Sequence, residues 1–396
     1  MAEIRRMIID KLNQIYGAAL DKHEREIVES VLGSNQFGQV VENSKRESIK
    51  SIGFIIYSIR KYAGGTTSIL RLATGLSDLG FKITFINYGT QSINELNENA
   101  KFNLTNYKGV IKDFKNCTSD EFDVVIATSW LSAYKLNDYE AYKMYFVQDY
   151  EPYFFKVNER YLLARQTYEL GFHIVSLGPW NVNQIKRECP GTVSRLDYID
   201  FPYEKTEYES ETERDYEKYL HKRQFSLAVY IKEEGKRIPN IIQNILRNAH
   251  EELAAKGIEL DILFFGLTPH YKTIVGRNLG KLNKQELKKL YYRSDFGLVA
   301  SMTNISLVPY EMLATGLPIF EMNNGSFPAY FGADCAMLID FDYHTFVNKF
   351  LESITNPDVI REMVHSAKMR MDKLSWGNSC KQFAEYMIEA GQINGK

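Results

Sequence analysis

Short, unbroken apolar runs alternate with helix-period segments in both halves of this chain. Ile52-Gly-Phe-Ile-Ile-Tyr-Ser-Ile59 reads as a strand buried on both faces. A polar loop, Arg60-Lys-Tyr-Ala-Gly-Gly65, leads from it into a helix over Thr66–Leu76. Strands follow at Lys82–Ile86, Phe122–Thr128, Tyr145–Val147, Phe172–Ser176 and Leu196–Pro202. Between them lie a helix over Tyr161–Leu170 and another entered at Gly178-Pro-Trp-Asn181, with Asn181 as its expected cap.

The second half repeats the pattern. Phe225–Tyr230 and Leu260–Phe265 are strands, separated by a helix over Ile238–Lys256 with Pro239 in its first turn. Asn283, with Glu286 three residues on, predicts a capping box. Phe296–Ala300 is a further buried strand. It runs into the polar loop Ser301–Ser306 and a short helix with Ser306 as its N-cap and Gly316 as its stop. Ile319-Phe320 resumes the sheet, Asn323–Ser326 is a loop, and Pro357–Lys373 and Ser379–Glu389 are helical.

Two stretches stand outside this alternation. Ile4, Met7, Ile8, Leu12, Ile15, Tyr16 and Leu20 form one apolar helical face. That face suits packing on the first domain or against a second copy of the chain, as a homodimer. Arg5, Arg6 and Lys11 also fit an interfacial helix touching a membrane, although Glu3 and Asp10 dilute the basic side. The other stretch, from Glu204 to Lys222, carries Glu207, Glu209, Glu211, Glu213, Asp215 and Glu217 and reads as a solvated linker or helix between domains. The expected divisions are a helical extension over residues 1–48, a domain over 49–205, a second over 206–375, and a final helix over 376–396 that crosses back to the first.

A length of 396 residues favours two domains over one core. Apolar residues at 44% and charged residues at 25% describe a soluble globular protein, and a net charge of −2 gives no reason to expect nucleic acid as a partner. Cys117, Cys189, Cys335 and Cys380 are scattered without metal-ligand spacing, which suits a reducing, cytoplasmic setting. No apolar run approaches a membrane span and no secretion signal opens the chain. The 26 tyrosines and 23 phenylalanines suit stacking on sugar faces.

Candidate chemistry gathers where strands end. A strand, polar loop and helix N-terminus over residues 296–307 make an anion site, since free N–H groups and the helix dipole face the ligand. Glu311, further along that helix, is placed to accept hydrogen bonds from sugar hydroxyls. Lys232, Lys236 and Arg237 stand beside the next helix start as a second cradle for phosphate, or as a solvated charge run. In the first half, strand, glycine pair and helix make the opening unit of a Rossmann-like domain. GxGxxG is absent, which disfavours a nicotinamide dehydrogenase. Gln148, Asp149 and Glu151 fall beyond the carboxyl end of a strand. There Asp149 or Glu151 could orient or deprotonate an acceptor hydroxyl, or serve as a cap. Tyr150, Tyr153, Phe154 and Phe155 could form a sugar platform or core.

The segment from Thr303 through Glu311 to Pro318 resembles the donor site of retaining GT-B glycosyltransferases of family 4. Val147-Gln-Asp-Tyr-Glu-Pro152 and Thr303-Asn304 are similar to signatures of WsaF-type bacterial polysaccharide rhamnosyltransferases. The resemblance implies two Rossmann-like domains facing a central cleft. It implies that Thr303, Asn304, Ser306, Leu307 and Glu311 bind the donor, with Glu311 on the ribose, and that Asn278 and Leu279 lie by the nucleobase. Gly64 and Gly65 would let donor or acceptor approach the backbone, while Lys232, Arg237 and alternatively Lys236 neutralise the leaving diphosphate. Gln148, Tyr150 and Tyr153 would meet the acceptor. Thr303 stands where the family has its first glutamate. The implied activity is retaining transfer, without cofactor or metal, of rhamnose from dTDP-rhamnose, or of a UDP-linked hexose, to a growing bacterial surface glycan or glycolipid. The implied place is the cytoplasm, at the inner face of the membrane. A catalytically silent, glycan- or partner-binding subunit is the alternative that Thr303 raises.

Overall fold

Two parallel sheets carry the chain. The computed structural model describes residues 22, 24–33, 38–203, 208–209, 213–233 and 235–393. The apolar face proposed over residues 4–20 lies outside these, as do Glu204, Glu207 and Glu211.

The first sheet has seven strands: β1 (Ser51–Ile56), β2 (Lys82–Asn87), β3 (Val110–Asp113), β4 (Val124–Ala127), β5 (Tyr142–Val147), β6 (His173–Leu177) and β7 (Leu196–Ile199), in the order β3-β2-β1-β4-β5-β6-β7. β1 pairs in parallel with β2 through Phe54 and Phe85 and with β4 through Phe54 and Ile126. Covering helices bury both faces, so β1 and β4 are apolar at nearly every position. The second sheet has β8 (Gln224–Tyr230), β9 (Glu259–Phe265), β10 (Arg277–Asn278), β11 (Phe296–Val299), β12 (Ile319–Met322) and β13 (Met337–Ile339), in the order β10-β9-β8-β11-β12-β13. Its core is mainly aliphatic and includes a group of packed rings, with Phe320 and Phe346 at 4.4 Å between ring centres and Phe296 and Phe350 at 5.1 Å.

In each sheet the strand order reverses beside the first strand, between β1 and β4 and between β8 and β11. The connections there leave in opposite directions and open a crevice at the carboxyl ends, where open α/β sheets bind ligands. The order therefore picks out the loops after β1, β4, β8 and β11.

The chain divides into two compact units, one of residues 1–177, 182–198 and 380–396, the other of 178–181 and 199–379. In the first unit, residues 24–32 are helical, bury Ile27 and Val31, and pair Glu24 with Arg160 at 2.7 Å. Among the described residues, no helix is long and apolar enough to cross a membrane.

Several local expectations change. The glycine pair opens the helix Gly64–Asp78 instead of preceding it. Asn181 sits inside the first turn of the helix Pro179–Glu188, fully buried, and its amide caps nothing. Ser306 holds the N-cap position of the helix Leu307–Ala314, but its hydroxyl makes no cap bond. The described part of the acidic stretch is docked, not solvated. Arg214 donates to the carbonyls of Tyr291, Ser294 (2.6 Å) and Thr315 (3.0 Å), and Tyr216 and Tyr219 donate to Gly316 and Asp295 at 2.6 and 2.7 Å. Its carboxylates face outward while its arginine and tyrosines anchor it. The Asn283–Glu286 capping box is present, with bonds of 3.1 and 2.8 Å.

Candidate functional site

In the second unit the site forms around the carboxyl ends of β8, β11 and β12. The loop after β8 turns through Gly235–Arg237 and enters the helix Pro239–Ala255 by way of Ile238 in the left-handed region, at φ 39°. A branched residue adopts that conformation only when its surroundings enforce it. The turn sends Arg237 inward, leaving it 4% exposed. Its guanidinium donates to Ala300 O at 3.1 Å, lies 5.7 Å from the Tyr230 ring centre, and keeps Nε without a partner. Lys232 and Lys236 are half-buried on the same loop.

Ala300 and Ser301 lead to the helix Leu307–Ala314, so Arg237 sits at the root of the loop that ends in that helix's N-terminus. Thr303 and Asn304 are buried, Leu307 is half-buried, and Asn304 accepts a hydrogen bond from the Tyr330 hydroxyl. The Ser306 hydroxyl is buried and unpartnered. Glu311, one turn further on and half-buried, accepts from the Tyr291 hydroxyl at 3.0 Å. Burial, and then the Glu311 charge, lift the Tyr291 phenol well above its ordinary value, so it remains a donor.

Asn278 and Leu279 are bound into the fold. The Asn278 amide donates to Thr268 O at 2.8 Å and Tyr271 O at 3.0 Å and accepts from Gly280 N–H, while Leu279 N–H donates to Phe264 O at 2.8 Å. Their polar atoms shape a loop beside β9, which leaves backbone shape as their route to a ligand.

The first unit gathers a second group. A Cβ on Gly65 would come 3.6 Å from the Gln148 amide, so the start of the helix Gly64–Asp78 and the end of β5 adjoin. Asp149 is half-buried and accepts from Tyr150 N–H at 3.0 Å. Glu151 Oε2 accepts from Trp130 N–H at 2.6 Å and so caps the short helix Trp130–Ala133. That contact supports the structural reading of Glu151 over its reading as an acid or base. Tyr150 needs correcting as an acceptor residue. It is fully buried, stacks on Tyr168 at 5.3 Å, and has no face to offer a sugar. Tyr153 is partly exposed, but its hydroxyl bonds Arg187 at 2.8 Å and Glu188 at 3.2 Å.

Four residues of these networks were missed in the sequence: Glu321, Tyr291, Arg214 and Tyr330. Glu321 left a signal, being one carboxylate inside the apolar run Ile319–Met322. It is completely buried, and its carboxylate accepts from Ser301 Oγ at 2.6 Å, Ser301 N–H at 3.0 Å and Met322 N–H at 3.2 Å. Burial raises its pKa to about 7 against the pull of these donors and of Arg237.

Comparison with solved structures defines the fold as GT-B, two Rossmann-like α/β domains, as in glycosyltransferases. Similar structures include HepE of Anabaena in complex with UDP-glucose, at 11% identity and a TM-score of 0.64 over 85% of this chain and 99% of that one. TarM gives 8% identity and 0.67 over 86% and 99%. The sucrose-phosphate synthase of Thermosynechococcus elongatus gives 12% and 0.60 over 85% and 98%. No protein-family model matches the chain, and no curated protein matches its sequence.

Proposed function

We propose that this protein is a glycosyltransferase that takes a sugar from a nucleoside diphosphate donor and passes it to a glycan or glycolipid acceptor. The observation that carries this reading is Arg237, a buried cation with an unpartnered Nε at the root of the loop that ends in the N-terminus of Leu307–Ala314. A buried guanidinium beside a helix N-terminus suits a diphosphate, and Glu311, steadied by Tyr291, suits ribose hydroxyls. The GT-B likeness supports the reading, as does HepE, which shares the fold and was crystallised with UDP-glucose.

In this reading Arg237, Lys232 and Lys236, with the helix N-terminus, stabilise charge growing on the departing diphosphate, so no metal is required. Gly64 and Gly65 let the donor or the acceptor approach the backbone and Gln148 adjoins the acceptor, with Asp149 as the carboxylate to orient its hydroxyl. Retention of configuration, dTDP-rhamnose as donor, a bacterial surface polysaccharide as product and work at the inner face of the membrane are the finer proposals. Their support is the likeness of Gln148–Pro152 and Thr303-Asn304 to rhamnosyltransferase signatures, and a UDP-hexose is the competing donor. The buried Thr303, where related enzymes carry a glutamate, favours a second reading as a silent binding subunit.

A thermal-shift series with UDP, dTDP and their sugar conjugates, with and without EDTA, separates these readings. A ligand that binds the native state raises Tm by mass action. A shift that survives EDTA, followed by sugar transfer, supports the transferase. A shift without turnover supports the silent subunit, and no shift with any nucleotide overturns donor binding.

A further inference from the structure

Glu321 presents a problem that the fold alone does not answer. A carboxylate with no exposed surface is costly unless paired, and replacing it with an apolar residue in an apolar strand would remove that cost. Instead both oxygens are occupied, Oε1 by the Ser301 hydroxyl and Oε2 by Ser301 N–H and Met322 N–H. Ser301 is tied down from its other side as well. Its carbonyl accepts from Ser326 N–H at 2.6 Å and Ser326 Oγ at 3.1 Å. The carboxylate therefore fixes the first residue of the loop that ends in the helix Leu307–Ala314.

A charged group whose field reaches Glu321 is Arg237, which approaches from the loop after β8 and binds Ala300 O. The loop after β11 contributes Ser301, and β13 lays the uncharged Leu338 beside Glu321 in register. With no ligand present, the two buried charges offset one another at a distance. A diphosphate drawn to Arg237 would take over that neutralisation and place negative charge near the carboxylate, which favours its neutral form. The Ser301 hydroxyl suits such a change. It donates to a carboxylate and, by rotating, accepts from a carboxylic acid, so the contact survives in either state.

We propose that Glu321 is a positioning residue of the donor site, holding Ser301 and balancing Arg237 in the free protein and taking up a proton when a nucleoside diphosphate sugar binds. This rests on the donor-site reading above. A pKa near 7 in the free protein leaves the carboxyl part-ionised at neutral pH, where uptake can be measured.

The test is titration calorimetry of the intact protein at pH 7 with UDP-glucose and dTDP-rhamnose, in two buffers of different ionisation enthalpy. The diphosphate of these diesters does not titrate near neutrality, so proton exchange reports on the protein. The expected result is uptake of roughly half a proton per nucleotide, with Kd rising by up to about tenfold per pH unit above 7. Glu321→Gln should bind with no uptake. Ser301→Ala, which removes a donor to the carboxylate, should leave Glu321 more protonated beforehand and shrink the uptake. Binding with equal heats in both buffers, or uptake that persists in Glu321→Gln, would overturn the proposal while leaving the donor site standing. Failure of both nucleotides to bind the unaltered protein would overturn both.

Discussion

Tyr291 donates its hydroxyl to Glu311 at 3.0 Å, so a buried ring on the helix Lys284–Arg293 aims the carboxylate carried by the helix Leu307–Ala314. A hydrogen bond to a charged acceptor contributes about 1.5–3 kcal/mol. Tyr291→Phe keeps the ring and loses that bond, so nucleotide Kd should rise roughly tenfold and Tm should fall by a few degrees. Glu311→Ala should weaken binding further. Titration calorimetry checks both, and an unchanged Kd in Glu311→Ala would remove that residue from the site.

Arg214 holds the same pair from behind. Its guanidinium binds Tyr291 O and Ser294 O on one helix end and Thr315 O on the other. Arg214→Ala leaves three carbonyls without their cation and should cost about 2–4 kcal/mol in urea unfolding, with weakened nucleotide binding. Lysine has no planar fork, so Arg214→Lys should recover only part of each loss.

Glu151 separates a structural from a chemical role. Its bond to Trp130 N–H predicts that Glu151→Ala lowers stability by about 1–2 kcal/mol, while Glu151→Gln, still an acceptor, retains most of it. Sugar transfer measured per folded molecule should survive in Glu151→Gln. Loss of turnover in a well-folded Glu151→Gln would restore Glu151 as an acid or base.

Neither Gly64 nor Gly65 has a positive φ, and an added Cβ meets nothing within 4 Å at Gly64 and only the Gln148 side chain, at 3.6 Å or more, at Gly65. The fold does not demand glycine at either place. Alanine at each should hold or raise stability by about 0.5–1 kcal/mol, because it lowers the entropy of the unfolded chain. If a ligand approaches this backbone, transfer should fall in these stable variants. Full activity in the double variant would dismiss that role.

Glu321 should also mark the pH dependence of folding. Its carboxyl rises from 4.5 to about 7 in the folded state. Between those values the folded chain holds a proton that the unfolded chain releases, so stability falls as pH rises through the window. The slope is at most about 1.4 kcal/mol per pH unit and levels off above the folded value. Glu321→Gln has no such slope, so its stability relative to the unaltered protein should increase from pH 5 to pH 7 and then stay constant. Urea unfolding at pH 5, 7 and 8 measures it.

Much of the framework was legible in one dimension. β1, β8 and β11 are nearly unbroken apolar runs because both faces of a parallel sheet are covered. The box at Asn283 and the stop at Gly316 (φ 74°) are local events written in neighbouring residues. Other elements left no comparable trace. β3 is an edge strand with an exposed Val110, β13 spans only Met337–Ile339, and the helix Ile93–Asn103 is too polar to show a clear face. Asn181 and Ser306 carry good capping chemistry, yet a cap needs the right backbone and a free N–H at once, and neither side chain met both conditions.

The sequence by itself determined the kinds of element, their alternation, the basic loop after β8 and Glu311 on its helix, because these follow from period, turn residues and side-chain chemistry. Tertiary structure alone decided which polar groups meet. Arg237 turned inward to Ala300, Glu151 went to Trp130, Tyr150 into the core, Arg214 to two helix ends and Glu321 to Ser301. These partners lie tens of residues apart, and the sheet order brings them together. The physical reason is that a buried charge must find donors or acceptors wherever the fold supplies them, and no spacing along the chain encodes that choice.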